Sequence, residues 1–338
     1  MNKIPTAIIA GFLGAGKTTL VNQILNHSRD SRIAVLVNDF GDINIDAQLI
    51  TRVEGETISL SNGCICCSIR GDLVAALLRL LERDPLPDYI VIEASGISDP
   101  SAAAMGLVMS TRLAAALQLD AIVTLVDAEQ APEADSDYAD LATDQLAAAD
   151  IVIINKTDCA TRAQIDDVTE WARRVSPQAR IVEASFCRVP LELVFGTGAP
   201  GVMPRVDAIS GHNHALHPEH AERFSAWSWT HAEPLSFEAT YAFFKALPLS
   251  IFRAKGIVYL DDVRDRRVIL QMVGKRVLLS RGAPWDAAQP GSQIVMIGTS
   301  GGIDADLMDR RLEACLARNS PSSGNRMAQA VVEILRRP

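Results

Sequence analysis

The chain reads as an α/β protein, with a mostly parallel, doubly wound sheet in its first part and a smaller C-terminal α+β domain. Three observations predict this. A glycine-rich loop, GFLGAGKT at residues 11–18, comes straight after the apolar run of residues 4–10. Short β-rich apolar runs then alternate with helical patterns to about residue 185, which is the pattern of a parallel sheet. Beyond a Gly/Pro-rich stretch, strands follow one another through short turns with helices set apart, which suggests α+β.

The first expected strand, residues 6–10, feeds the loop. Gly11, Gly14 and Gly16 permit backbone conformations that a side chain would forbid, so amide N–H groups converge on an anion at the start of the next helix. With Ala15 they form the cradle of a nucleoside triphosphate, and the first domain is a P-loop NTPase domain. Lys17 reaches the β- and γ-phosphates as a point charge, the Thr18 hydroxyl is the expected Mg²⁺ ligand, and Thr19 adds a phosphate contact. A plain glycine-rich turn leaves the Lys-Thr pair after the last glycine unexplained.

Further strands are expected at residues 33–37, 57–60, 89–93, 121–126, 151–154 and 181–184. Several are continuous apolar runs, as strands covered on both faces should be. The second leads into Asn38-Asp39-Phe40-Gly41-Asp42, whose acids are candidates to ligate Mg²⁺ or position an attacking water in a loop that orders around the γ-phosphate. Asp46 reads as a solvated acid, and Asp39 and Asp42 are preferred. The strand at 89–93 ends in Glu93, followed by Ala94-Ser95-Gly96. A nucleotide hydrolase needs a carboxylate near Mg²⁺ there and a backbone N–H near the γ-phosphate. Lys17, Asp39, Glu93 and Gly96 are therefore the candidate catalytic set, with Thr18 and Glu93 holding Mg²⁺. No arginine finger is evident, and Arg70, at a helix start, reads equally well as a surface ion-pair partner.

The strand at 151–154 runs into Asn155-Lys156-Thr157-Asp158, an NKxD pattern. A carboxylate at Asp158 can accept from both guanine N1–H and the exocyclic amine. Adenine offers no such donor pair, and leaving the carboxylate unpaired is penalised. Asn155 would brace the loop and reach the base edge, while the Lys156 stem covers the face of the base. GTP is the expected nucleotide.

Asn62-Gly63-Cys64-Ile65-Cys66-Cys67 lies between the acidic loop and the strand that ends in Glu93. In an extended backbone Cys64 and Cys66 project to one side, and Cys67 joins them if the chain turns at the following helix start. Thiolates select Zn²⁺ or Co²⁺ over hard Mg²⁺. Asp42, a histidine or water would supply a fourth ligand. Buried structural thiols are the plainer reading, and a redox pair would be better served by Cys-x-x-Cys. Cys159, Cys187 and Cys315 are isolated and read as structural.

Residues 1–195 form the expected nucleotide domain, 196–222 a His-rich linker, 223–317 the second domain and 318–338 a tail. In the linker, His212, His214, His217 and His220 are four of the six histidines, suited either to metal capture or to a solvated spacer. In the second domain, strands are expected at 224–230, 251–260, 267–273, 276–280 and 293–298, with helices at 236–247 and 304–316 and a last short helix at 326–336.

A length of 338 residues suits two domains. The net charge of −9 argues against nucleic-acid and anionic-membrane partners. The longest apolar region, around 102–126, is interrupted by Arg112 and Asp120 and is no membrane span. The N-terminus shows no signal-peptide pattern, so a cytoplasmic protein is expected. Six cysteines, three of them clustered, are not a disulfide framework.

Together GFLGAGKT, the NDFGD loop, NGCICC, IVIEASG and NKTD resemble the CobW-type metallochaperone GTPases, relatives of the nickel-insertion GTPases for hydrogenase and urease. The resemblance covers nearly the whole chain, and the Cys-x-Cys-Cys is its most specific element. It implies GTP binding and slow Mg²⁺-dependent hydrolysis. It also implies metal binding at Cys64, Cys66 and Cys67 that tightens in one nucleotide state, so that hydrolysis releases the ion to a client metalloprotein. The family's switch loop commonly carries glutamates, whereas this chain has the shorter Asp39 and Asp42. Two other readings use the same residues: a metal buffer or sensor whose nucleotide site is structural, and a GTPase that assembles a client with its cysteines structural. The physiological metal, the client and the oligomeric state stay open, a nucleotide-dependent oligomer included.

Overall fold

A computed structural model describes residues 3–27, 32–37, 57–59, 68–129, 139–195, 224–274, 276–285, 289–320, 331, 332 and 335. The chain divides into two compact units, Met1–Met203 and Pro204–Pro338.

In the first unit, strands β1 (Ile4–Gly11), β2 (Ile33–Val37), β3 (Thr57–Ser59), β4 (Tyr89–Glu93), β5 (Leu117–Asp127), β6 (Ile151–Asn155) and β7 (Arg180–Glu183) form one sheet in the order β3-β2-β4-β1-β5-β6-β7. Every pairing in it is parallel. The strand order reverses at β1, between β4 and β5. Parallel sheets open a ligand crevice at the carboxyl ends of their strands at such a point. The glycine-rich loop leaves β1 there, beside Glu93 on β4 and Asp127 on β5.

The helices of this unit are α1 (Lys17–His27), α2 (Ser68–Leu80), α3 (Pro100–Met109), α4 (Thr111–Ala116), α5 (Ala139–Ala147), α6 (Arg162–Val175) and α7 (Leu191–Val194). Alternate residues Ile8 and Ala10 join a core with Leu36, Ile90 and Ile92, closed by Leu73, Leu77 and Leu107 from α2 and α3. The intervening Ala7 and Ile9 are equally buried, so β1 is covered on both faces, which is why it reads as an unbroken apolar run. A second core packs Val152 and Ile154 of β6 against Leu146 of α5 and Ile165, Val168 and Ala172 of α6.

The sequence expected a strand at 121–126; β5 begins four residues earlier, at Leu117, directly from the end of α4. The polar Gln118 and Asp120 hid this start. Asp120 is buried because the Tyr89 hydroxyl donates to its carboxylate at 2.5 Å. The apolar region at 102–126 thus resolves into α3, α4 and β5. Among the described residues no helix is long and apolar enough to cross a membrane.

The second unit is an antiparallel five-stranded sheet in the order β11-β10-β9-β12-β8. Its strands are β8 (Phe224–His231), β9 (Ile251–Leu260), β10 (Val263–Val273), β11 (Arg276–Pro284) and β12 (Ser292–Thr299). Helices α8 (Phe237–Lys245) and α9 (Ala305–Ala314) are capped by Ser236 and Asp304, whose side chains accept from Ala239 N and Leu307 N. Phe243, Phe244, Val258, Leu270, Met296 and Leu312 share one core. β10 starts before the expected residue 267, because the charged run at 264–267 masks the pattern, and β11 runs past 280. Of the last expected helix, residues 331, 332 and 335 are helical, and Val332 and Leu335 are buried in this core.

Candidate functional site

The site is built from the loop upward. Gly11 has φ 133° and sits so close to β5 that a Cβ would lie 2.3 Å from Leu125 O. Gly16 has φ 106°, and a Cβ there would lie 2.5 Å from Asn155 Nδ2 and 2.9 Å from Cys187 Sγ. Glycine is required at both places on two counts, conformation and space. Gly14, at φ 79°, has open space on its Cβ side.

Lys17 opens α1 and is buried; its Nζ donates to Gly11 O at 3.0 Å and Phe12 O at 3.1 Å. The ammonium therefore arches back over the loop that would cradle a phosphate. The next residue, Thr18, donates its hydroxyl to Glu93 Oε1 at 2.9 Å, and Thr19 is exposed. Glu93 is 1% exposed, at the carboxyl end of β4. A hydroxyl and a buried carboxylate in contact form a pair of hard oxygen donors, the chemistry that Mg²⁺ accepts. The residues present fit that ion.

After β4, Ala94 N donates to Ile9 O at 2.8 Å, and the chain turns at residues 95–98, where Ser98 N and Oγ both donate to Ser95 O. Gly96 lies against the phosphate loop: a Cβ on it would be 2.9 Å from Leu13 N.

The NKxD residues join the same assembly. Asn155, buried at the end of β6, donates from Nδ2 to Ala15 O at 2.9 Å, and its Oδ1 accepts from Cys187 N at 2.8 Å. The carboxamide thus braces two loops, and the structure shows this role rather than a free edge for a base. Lys156 takes φ 62°, a strained backbone for a long side chain, and its Nζ pairs with Asp127 Oδ2 at 2.6 Å. That hydrogen bond holds the Lys156 ammonium above its ordinary pKa, against the opposing effect of burial. Thr157 Oγ1 lies 3.1 Å from Ala184 O and 3.0 Å from Ser185 Oγ, and Asp158 stays exposed. Thr161 then starts α6 with a reciprocal cap to Gln164, which fixes where the loop ends.

Three participants escaped the sequence reading. Asp127 ends an apolar strand as Glu93 does, and that shared signal was available. Cys187, read as merely structural, sits inside the site: its thiol donates to Gly16 O at 3.3 Å, and burial pushes it up to about 12. Gln145 of α5 donates from Nε2 to Gly96 O and Ser98 O. Nothing in its local sequence marks it.

Asp39, Asp42, Asp46, Cys64, Cys66, Cys67, His212, His214, His217 and His220 lie outside the described residues. Among the described residues no three His, Cys, Asp or Glu side chains gather as a metal site. α2 begins at Ser68, the residue after Cys67.

Known proteins resemble this chain. The CobW/HypB/UreG nucleotide-binding domain model matches residues 5–183, and the cobalamin synthesis protein CobW C-terminal domain model matches residues 224–316. The zinc chaperone YjiA of Escherichia coli is 30% identical over 309 residues, covering 88% of this chain and 95% of that protein. The zinc chaperone CobW of Pseudomonas aeruginosa is 30% identical over 352 residues, covering 93% and 92%. Among solved structures, Zn(II)-bound YjiA GTPase from E. coli matches at 24% identity with a TM-score of 0.46, covering 93% of this chain and 99% of that one.

Proposed function

The chain belongs to the CobW/HypB/UreG family and is a P-loop GTPase, and from that premise we propose that it is a GTP-dependent metallochaperone. It holds Zn²⁺ or Co²⁺ as cargo at Cys64, Cys66 and Cys67, with Asp42 as a further ligand, and delivers it to a client metalloprotein as GTP is hydrolysed to GDP. Similarity over most of their length to proteins named zinc chaperones supports the metal-handling part.

The observation that carries the nucleotide reading is the Asn155 carboxamide, the first residue of the NKxD segment, which ties the phosphate loop at Ala15 to the loop at Cys187 that follows β7. Lys17 binds the β- and γ-phosphates, the N–H groups of residues 14–18 surround them, and Asp158 selects guanine. Thr18 and Glu93 would hold Mg²⁺, which when bound neutralises charge on the phosphates. Asp39 orients the water whose oxygen attacks the γ-phosphorus, the bond to the β-phosphate oxygen breaks, and its electron pair leaves on GDP. Gly96 offers its N–H to the γ-phosphate, so the loops on either side of the cysteines both depend on that phosphate. This sequence order motivates a metal site whose affinity follows the nucleotide.

Phosphate release from GTP and Zn²⁺ stoichiometry test the two halves. The expected result is Mg²⁺-dependent turnover that falls about 100-fold or more in Lys17→Ala. With Cys64, Cys66 and Cys67 changed to Ser, turnover persists while bound Zn²⁺ is lost. Turnover that survives in Lys17→Ala, or full Zn²⁺ binding without the three thiols, contradicts the reading.

A further inference from the structure

We propose that Gln145 is the positioning residue of the γ-phosphate loop, fixing its backbone donors from the side opposite the phosphate loop. The inference rests on the GTPase reading above and adds a residue outside every nucleotide-binding motif.

Gln145 is 1% exposed on α5. Its amide nitrogen has two hydrogens, and it donates to Gly96 O at 3.1 Å and to Ser98 O at 3.0 Å. Both acceptors belong to one turn, 49 and 47 residues away in sequence. The donor itself is anchored: Thr124 Oγ1 on β5 donates to the Gln145 backbone O at 3.0 Å, and the neighbouring Leu146 is in the core. On the far side the turn meets Leu13, where a Cβ on Gly96 would stand 2.6 Å from Leu13 Cδ2. The turn is therefore wedged between the phosphate loop and α5.

The wedge sets the direction of specific donors. In a trans peptide the C=O and N–H point opposite ways. Ser95 O, held by Ser98 N and Oγ, fixes the Gly96 N–H. Gly96 O, held by Gln145, turns the Ile97 N–H away from α5. Two successive backbone donors are thus aimed before any phosphate arrives, the preorganisation that stabilises developing charge most cheaply. GDP has no γ-phosphate, so this arrangement discriminates GTP from GDP.

The test compares the unaltered protein with Gln145→Met, similar in length without the donors, and Gln145→Glu. Binding of GDP and of a non-hydrolysable GTP analogue is measured alongside GTP turnover. Gln145→Met is expected to bind GDP as before while the preference for the analogue over GDP, and kcat, each fall about tenfold. In Gln145→Glu only the protonated acid can donate, and to one of the two carbonyls, so turnover and analogue affinity rise part of the way back as pH falls, with no such slope in the unaltered protein. A merely structural Gln145 would lower thermal stability and leave the analogue-to-GDP ratio and the pH profile unchanged, which overturns the proposal. If Gln145→Met does not fold, the slope in Gln145→Glu decides. If the unaltered protein turns over no GTP, the GTPase reading fails, and the binding ratio still decides the role of Gln145.

Discussion

Thr18, at the start of α1, donates its hydroxyl to Glu93 at the end of β4 over 2.9 Å. The phosphate loop and the neighbouring strand are thereby joined through the two oxygens assigned to Mg²⁺. Glu93→Gln keeps an acceptor for Thr18 and removes the charge. The fold should persist while the Mg²⁺ concentration for half-maximal GTP turnover rises about tenfold or more. A Mg²⁺ titration of phosphate release checks this, and an unchanged midpoint tells against Glu93 as a ligand.

Asn155 satisfies a carbonyl on one loop and an N–H on another. Asn155→Ala leaves Ala15 O and Cys187 N without that partner, at about 1–3 kcal/mol for each buried group left unsatisfied. A loss of about 2–6 kcal/mol is expected in denaturant unfolding, together with weaker GTP binding. Stability equal to the unaltered protein would show that the brace is dispensable.

Lys156 has its pKa raised by the hydrogen bond to Asp127. A cation raised in the folded state contributes stability below its unfolded value and loses it as pH rises through the folded one. Asp127→Asn should therefore cost stability near neutral pH, by no more than about 1 kcal/mol since Lys156 is a third exposed and screened. The gap from the unaltered protein should close above about pH 10.5. Unfolding measured across that range decides; a gap that widens there contradicts the pairing.

The Cys187 thiol, pushed up to about 12 by burial, is overwhelmingly protonated at neutral pH and inaccessible. Iodoacetamide pulses read by peptide mass spectrometry should label exposed Cys159 in the native protein and Cys187 only after unfolding. Native labelling of Cys187 at the rate of Cys159 would place its loop away from Gly16.

The parts readable in the sequence were those whose cause is local. Ile151–Asn155 and Tyr89–Glu93 announced themselves because strands buried on both faces carry unbroken apolar runs. Gly11, Gly16 and Lys17 stood out because one turn dictates their types. The start of β5 was hidden because Asp120 looks like a solvent residue until Tyr89 donates to it from 31 residues away. Gln145 and Cys187 were invisible for the same reason: their roles are contacts at 49 and 32 residues' separation, with no periodicity to betray them. Asp127, a carboxylate closing an apolar strand, carries a signal in the sequence as good as that of Glu93.

Under the proposed function, the nucleotide controls the metal. Zn²⁺ affinity, measured by competition with a chromophoric chelator, is compared in the presence of Mg²⁺ with a non-hydrolysable GTP analogue and with GDP. Zn²⁺ bound about tenfold or more tightly in the analogue state is the predicted result, since only a difference between states can drive release on hydrolysis. Equal affinity in the two states would contradict the account.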